Sequence, residues 1–312
     1  MRKSHVLIIF TIFSILLLAA CGNSEEKTQN NEEKLTIEHA MGKTEVPANP
    51  KRIVVLTNEG TEALLAMGVQ PIGAVQSWTG DPWYDHIKGD MEGVEVVGTE
   101  SEINLEKIAS LKPDLIIGNK MRQEDFYNQL NAIAPTVFSE TLRGNWQLNF
   151  ELYAKAINKE EKGKEILSNF SKRIEKIRNQ VGDKINYEVS VVRFLAGDVR
   201  IYHKDSFSGF ILDKIGFKRP ESQNVDDFAE MNVTKERIPA MDGDIMFYFT
   251  YEQGDGKATQ VEEEWINDPL FKQLNVAKNN RVYKVDDTIW NTAGGVIAAN
   301  LLLDDLEKHF NE

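Results

Sequence analysis

The side chains best suited to hold a small ligand follow the predicted strands of this 312-residue chain, each near the point where a strand ends. In open parallel sheets, ligands bind outside the carboxyl ends of the strands, because those ends meet at one edge. Arginine donates hydrogen bonds as a planar fork that matches carboxylates, and tryptophan and tyrosine offer flat apolar contact with a polar tip. We therefore predict one ligand site at this edge, with these candidate contacts: Trp78, Arg122, Arg143, Arg193, Arg200, Tyr202, Tyr251 and Trp290.

Plainer interpretations of the same residues stay open. A single arginine is most often a solvated surface charge, and Trp78 and Trp290 fit a core equally well. A nucleophile elbow, a phosphate-binding loop and a metalloprotease motif are all absent from the sequence, which argues against an enzyme. We also predict no metal site made by protein side chains, because the histidines beyond the first 20 residues lack the spacing of metal ligands: His39, His86, His203 and His309.

The elements that position these residues alternate between short apolar or β-branched runs and helical patterns, which indicates a mainly parallel α/β sheet. Between the two groups of runs, residues 146–181 lack strand character, and their apolar side chains recur every three or four positions. We predict a short helix there, a break at Asn158 and then a long helix, followed at the C-terminus by a final helix over 292–310. The runs lie at residues 52–56, 71–75, 94–97, 114–118 and 135–139, and again at 187–195, 199–203, 211–215, 244–251 and 282–285.

An internal repeat relates the two halves of the chain. Residues 104–117 align with residues 234–247 without a gap, at an offset of 130. Asn104 and Thr234 are both suited to cap a helix N-terminus, and an aspartate opens a strand at the end of each copy. Glu106 and Glu236 both fall in the first helical turn, where the helix dipole favours a carboxylate. The repeat predicts two similar α/β lobes joined by a helix.

Several motifs together resemble one family, the periplasmic-binding-protein-like iron-siderophore receptors. They are P-x-R-I-V-V-L at 50–56, E-A-L-L-A-M-G-V-x-P-I-G-A at 62–74, E-x-I-x-x-L-x-P-D-L-I-I at 106–117 and W-N-T-A-G-G at 290–295. The segments V-R-I-Y at 199–202 and G-F-I-L-D-K-I-G-F-K-R at 209–219 are similar to Gram-positive lipoproteins for citrate-based and hydroxamate siderophores. The resemblance covers residues 35–310.

The resemblance implies two Rossmann-like lobes joined by a single long helix, which is the class III solute-binding protein fold. It implies capture of a ferric siderophore in a shallow cleft and delivery to an ABC transporter permease, by a monomer without a cofactor. In this family a glutamate on each lobe contacts the permease, and the matching motif positions in this chain are Glu106 and Glu236. Both residues can also be explained as ordinary carboxylates that stabilise a helix N-terminus through the helix dipole. The protein need not touch the iron, because the chelator fills its coordination shell. Haem, cobalamin or a bare metal ion remain alternative ligands, and a siderophore-processing enzyme is a more remote one.

The N-terminal segment predicts export and a lipid anchor. Positive residues precede an apolar run over residues 6–20, which is shorter than the ~20 residues of a membrane span and typical of a signal peptide. Leu-Ala-Ala-Cys at 18–21 looks like a lipobox, so we expect lipidation of Cys21 on the outer face of the cell membrane; an uncleaved anchor helix is the alternative. The net charge of −13 argues against nucleic acid as a partner. The expected divisions are a signal peptide at 1–20, a polar tether at 21–34, an N-terminal lobe at 35–145, a connecting helical segment at 146–183 and a C-terminal lobe at 184–312.

Overall fold

Two five-stranded sheets form the framework of the computed structural model, which describes residues 33–142 and 144–311. The predicted signal peptide, the predicted lipidation site Cys21, most of the predicted tether and Arg143 therefore lie outside the described residues. Lys34–Glu312 form one compact unit, within which each sheet and its helices make one lobe.

The N-terminal lobe begins with an antiparallel hairpin and continues as a parallel sheet of strand order β5-β4-β3-β6-β7. The central strands are buried throughout, as expected for a parallel sheet covered on both faces. Its strands are β1 (Lys34–His39), β2 (Gly42–Pro47), β3 (Ile53–Val55), β4 (Gly73–Ala74), β5 (Glu95–Val96), β6 (Leu115–Asn119) and β7 (Thr136–Ser139). Its α-helices are α1 (Asn58–Ala66), α2 (Leu105–Ser110), α3 (Lys120–Gln123) and α4 (Tyr127–Ile133), with 3-10 turns at Lys88–Met91 and Glu124–Phe126.

Two helices connect the lobes, α5 (Trp146–Ala156) and the 22-residue α6 (Glu160–Val181). Asn158 has a left-handed backbone with φ 55°, a conformation that asparagine tolerates better than most residues, and this separates the helices. The predicted break is thus confirmed. Helix α6 presents one apolar stripe to the core, formed by Phe170, Ile174, Ile177 and Val181.

The C-terminal lobe has a mixed sheet of order β10-β9-β8-β11-β12, in which β9 and β10 run antiparallel to their neighbours. The expectation of a mainly parallel sheet is therefore wrong for this edge. The apolar run at 211–215 belongs to a helix, since its residues continue a buried face that starts after the Ser206 N-cap. The elements are β8 (Val189–Leu195), β9 (Asp198–Tyr202), α7 (Phe207–Ile215), β10 (Ala229–Glu230), β11 (Ile245–Tyr251), α8 (Lys257–Ile266), α9 (Asn275–Lys278), β12 (Val282–Lys284) and α10 (Val296–Asn311). Shorter 3-10 turns lie at Gly182–Asn186, Glu221–Gln223, Lys235–Met241 and Phe271–Gln273, and a π-helical turn at Thr288–Thr292.

The internal repeat corresponds to one structural unit used in both lobes. Asp114 accepts hydrogen bonds from the backbone N–H groups of Lys51 and Arg52, just before β3, and Asp244 accepts one from Glu188, just before β8. Each aspartate thus ties its strand to the neighbouring parallel strand.

The helical part of the repeat differs between the copies. Asn104 caps α2 through the N–H of Lys107 at 2.9 Å. The second copy is a 3-10 helix that contains Pro239, and the Thr234 side chain makes no capping bond to its backbone. Thr234 thus occupies the N-cap position as expected, but its hydroxyl bonds to the Glu236 side chain and caps no backbone N–H group.

A buried glutamate ties the C-terminal helix to the N-terminal lobe. Glu62 of α1 accepts hydrogen bonds from the N–H groups of Ile297 and Ala298, at 2.8 and 2.9 Å, at the start of α10. Its other oxygen lies 2.6 Å from Nε2 of His86. Position 295 requires glycine, because the Cβ atom of any other residue would lie 2.6 Å from the Glu62 side chain.

Candidate functional site

A cleft of about 570 Å³ lies between the two lobes, at the carboxyl ends of the parallel strands. Side chains from both lobes line it, and apolar ones are interspersed with charged ones. The N-terminal lobe and the loop that follows it contribute Glu59, Trp78, Glu100, Met121, Arg122 and Leu142. The C-terminal lobe contributes Arg193, Leu195, Arg200, Phe207, Phe228, Met231, Tyr251 and the segment 291–294.

Direct hydrogen bonds join the lobes beside the cleft. The hydroxyl of Tyr251 donates to the backbone oxygen of Trp78 at 3.3 Å, and that of Tyr84 donates to the backbone oxygen of Thr292 at 3.1 Å. The Thr79 and Thr288 hydroxyls lie 3.1 Å apart. These contacts hold Trp78 and Tyr251, one from each lobe, against each other at the cleft wall.

Arg193 is the most constrained of the cleft arginines. Its Nε and Nη2 donate to the two carboxylate oxygens of Asp287 at 2.6 and 3.0 Å, and Nη1 donates to the Tyr202 hydroxyl at 3.2 Å. Its guanidinium also lies 4.8 Å from the centre of the Tyr251 ring. Both members of the ion pair have about 7% of their side chains exposed. Most of the hydrogen-bonding capacity of Arg193 is therefore used inside the protein.

Arg122 and Arg200 retain more free donors and face the cleft from opposite lobes. Arg200 lies on β9, donates from Nε to Asp198 at 2.6 Å and keeps 25% of its side chain exposed. Arg122 lies on α3, with Nε 3.4 Å from a Glu100 oxygen and its guanidinium 5.8 Å from the Trp78 ring centre. Within the described part of the chain, no hydrogen bond occupies the terminal nitrogens of either arginine, so both forks can bind an anionic oxygen.

Five of the predicted contacts line the cleft, and their role in binding remains a prediction: Trp78, Arg122, Arg193, Arg200 and Tyr251. Two other predicted contacts, Tyr202 and Trp290, are fully buried and lie outside the cleft lining in this structure. Arg143 falls outside the described residues.

Strand direction explains the position of Tyr202. Strand β8 ends at the cleft edge, but β9 runs antiparallel to it and starts at that edge, with Asp198 paired to Leu195. Tyr202 lies four residues further along, roughly 13 Å from the edge at about 3.3 Å per residue. There its ring packs against Phe228 and Phe249, and its hydroxyl accepts the hydrogen bond from Arg193. Tyr202 thus helps to hold the cleft residue Arg193 in position through this hydrogen bond.

The Trp290 side chain points into the core while the chain beside it lines the cleft. Its indole N–H donates to Asp305 at 2.9 Å, and its ring lies 4.6 Å from that of Phe247. The adjacent residues 291–294 are the ones that reach the cleft.

Sequence reasoning missed the acidic residues of the cleft, Glu59 and Glu100. Both follow strand ends, after β3 and β5, so the rule used for the arginines would have found them. Glu100 accepts hydrogen bonds from the backbone and side chain of Asn58 at 2.8 and 2.9 Å. Burial raises the pKa of Glu59 well above its usual range; a hydrogen bond from Asn149 opposes this, while the nearby Glu100 and Glu62 reinforce it.

Glu106 and Glu236 are both exposed, in the first turns of their helices. A hydrogen bond from the Thr234 hydroxyl lowers the pKa of Glu236, which keeps this carboxylate charged. Two accessible carboxylates thus occupy equivalent positions on the two lobes.

Residues 33–142 and 144–311 contain no group of three or more histidine, cysteine or acidic side chains placed to hold a metal ion. None of the helices in that same part is long and apolar enough to cross a membrane.

Two α/β lobes, a long connecting helix and a cleft between them define a class III solute-binding protein. The chain belongs to the periplasmic binding protein family, whose pattern matches residues 53–288. It is 53% identical to the probable siderophore-binding lipoprotein YfiY of Bacillus subtilis (strain 168), over 99% of this chain and 98% of the relative. The Fe(3+)-citrate-binding protein YfmC of the same organism is 32% identical, over 97% and 98%. Staphylococcus aureus SirA complexed with staphyloferrin B has the same fold, with a TM-score of 0.84 and 35% identity over 89% of this chain and 98% of SirA.

Proposed function

We propose that this protein captures a ferric siderophore in the inter-lobe cleft and delivers it to an ABC transporter permease. The observation that carries the proposal is the pair of arginine forks, Arg122 and Arg200, which face one cleft from opposite lobes and whose terminal nitrogens have no hydrogen-bond partner among the described residues. Carboxylate, hydroxamate and alkoxide oxygens of a ferric chelate are suitable acceptors for such forks. The names of the relatives, which include binding proteins for siderophores and ferric citrate, support the same ligand class.

The protein acts in this proposal by binding, not by catalysis. Each of the three described arginines of the cleft forms an ion pair with a carboxylate, and the chelator supplies every ligand of the iron. We infer a citrate-based hydroxamate or hydroxamate chelate as the ligand, because the lining mixes arginines with apolar side chains such as Leu142, Phe207 and Phe228.

A titration of the purified protein against ferric chelates tests the ligand class. The panel contains a citrate–dihydroxamate, a trihydroxamate, a triscatecholate, ferric citrate, haem and cobalamin, with Zn²⁺ and Mn²⁺ as bare ions. Quenching of tryptophan fluorescence reports binding, since Trp78 lies in the lining. We expect saturation at sub-micromolar concentrations with one ferric siderophore. Saturation only with haem, cobalamin or a bare ion would contradict the proposed ligand.

Delivery to the permease is proposed to use Glu106 and Glu236. We expect Glu106→Ala with Glu236→Ala to leave ligand affinity unchanged and to abolish iron uptake, because these exposed carboxylates lie outside the cleft lining. Radiolabelled-iron uptake is measured in cells that carry only the variant. The matched control replaces two exposed glutamates of the connecting helices, Glu151→Ala with Glu175→Ala, and should transport normally. Normal uptake by the Glu106 and Glu236 variant would refute docking through these residues.

We further propose that the protein is a monomer, anchored outside the cell membrane through a lipid on Cys21. The names of two relatives, both called lipoproteins, support the anchor. Cys21→Ser should abolish incorporation of labelled fatty acid and move the protein out of the membrane fraction. Retention in the membrane with no label would indicate an uncleaved helical anchor instead.

A further inference from the structure

Glu59 is the one carboxyl in the described lining that has no arginine partner. It lies in the first turn of α1, directly after β3, and is only 6% exposed although it contributes to the cleft lining. Its Oε2 accepts a hydrogen bond from Nδ2 of Asn149 at 3.0 Å. Its Oε1 is buried and has no hydrogen-bond partner among the described residues. An ionised, buried and half-satisfied carboxylate is unfavourable, whereas a carboxylic acid there carries a proton to donate.

The groups that face Glu59 favour its neutral form. Glu62 lies one turn further along the same helix, and Glu100 approaches from the segment after β5. Helix α5 presents Asn149 and Tyr153, whose hydroxyl lies 2.7 Å from that of Ser139. None of these groups is a cation. Arg122, the arginine that the N-terminal lobe contributes to the described lining, pairs with Glu100. Burial, followed by the two neighbouring carboxylates, accounts for the raised pKa of Glu59.

The remaining charges among the described residues of the cleft cancel if Glu59 is neutral. Each of the three described arginines in the lining has its own carboxylate: Arg122 with Glu100, Arg193 with Asp287 and Arg200 with Asp198. An ionised Glu59 would add a negative charge to these balanced pairs and repel an anionic chelate. A neutral Glu59 leaves the described charges balanced, which suits a chelate of small net charge better than a highly charged one.

We propose that Glu59 is a specificity-determining residue, a neutral carboxylic acid that turns its buried Oε1 hydroxyl towards the bound ferric chelate and donates a hydrogen bond to one of the chelate oxygens, so that the cleft selects chelates of low negative charge. This inference rests on the function proposed above and narrows its substrate. Counting the iron and its chelating groups alone, a ferric citrate–dihydroxamate is a monoanion and a ferric trihydroxamate is neutral, whereas a ferric triscatecholate is a trianion. The first two classes are the expected ligands.

The test compares the intact protein with Glu59→Gln and Glu59→Leu, using a ferric citrate–dihydroxamate between pH 5.5 and 8.5. Because the proton on Glu59 is the donor, the affinity of the unaltered protein should fall as pH rises through the raised pKa. Glu59→Leu should bind roughly 10-fold more weakly at low pH, as expected for a lost buried hydrogen bond. Glu59→Gln keeps a donor that does not ionise, so its affinity at low pH should be close to that of the unaltered protein. Its affinity should also change less with pH than that of the unaltered protein. The exposed Glu92→Gln in the same lobe is the matched control for a changed carboxyl.

Three results would overturn the inference. They are equal affinity in Glu59→Leu, the same pH profile in Glu59→Gln as in the unaltered protein, or tighter binding of a ferric triscatecholate than of both low-charge classes. If Glu59→Leu does not fold, the pH profile of Glu59→Gln compared with that of the unaltered protein still tests the inference. Failure of every ferric chelate to bind would instead overturn the proposed function, and the inference with it.

Discussion

Replacing Arg200 by alanine should weaken ligand binding while leaving the fold intact. Among the described residues, Arg200 is held only through Nε, by Asp198. Its side chain is 25% exposed and lines the cleft. One fork can therefore make one bidentate contact with a chelate oxygen pair. Losing a charged hydrogen-bonding partner reduces the binding free energy by about 1–3 kcal/mol, which corresponds to a dissociation constant roughly 5- to 150-fold higher.

The same substitution should hardly change the free energy of unfolding. The Arg200–Asp198 pair is partly exposed, and such pairs contribute about 0–1 kcal/mol. The assay is fluorescence titration with the best ferric chelate, alongside urea unfolding of both proteins. Arg237→Ala is the matched control, since Arg237 forms a bidentate pair with Glu230 in the same lobe but lies outside the cleft lining. Unchanged affinity in a folded Arg200→Ala protein, or an equal loss in Arg237→Ala, would refute the account of the cleft.

Two further substitutions should act on stability. Arg193→Ala leaves the Asp287 carboxylate buried without its partner and should lower the free energy of unfolding by about 3–5 kcal/mol in urea denaturation. The double variant with Asp287→Ala should recover part of this loss. A loss below about 1 kcal/mol in Arg193→Ala would contradict the buried ion pair. Glu62→Ala leaves two N–H groups at the start of α10 without their acceptor and should cost at least about 1–3 kcal/mol, with unchanged stability contradicting that link between the lobes.

The repeat is the part of the fold that sequence reasoning captured best. Asp114 and Asp244 were placed at equivalent strand starts because a cap, a turn and an aspartate recur at fixed spacing, and local chemistry of this kind is preserved in the structure. The break at Asn158 was likewise a local signal. Thr234 also lies at the expected N-cap position, but its hydroxyl bonds to the Glu236 side chain instead of a backbone N–H group, a choice of partner that the sequence pattern does not decide.

The errors in the site come from properties that are not local. Whether β9 runs parallel or antiparallel depends on its partners, and this decides that Arg200 reaches the cleft while Tyr202 does not. Trp290 sits in a segment that does line the cleft, but its side chain turns towards the Phe247 side of the core. The carboxylate partners of the arginines come from other parts of the chain, so the charge balance of the cleft became visible only in three dimensions.

The most direct test of the central claim is a crystal structure of the protein with its best ferric chelate, with anomalous data collected at the iron absorption edge. The account predicts one anomalous peak in the inter-lobe cleft, with chelate oxygens in hydrogen-bond contact with the forks of Arg122 and Arg200 and no protein atom bound to the iron. An iron peak outside the cleft, or a chelate in the cleft that touches neither arginine, would contradict it.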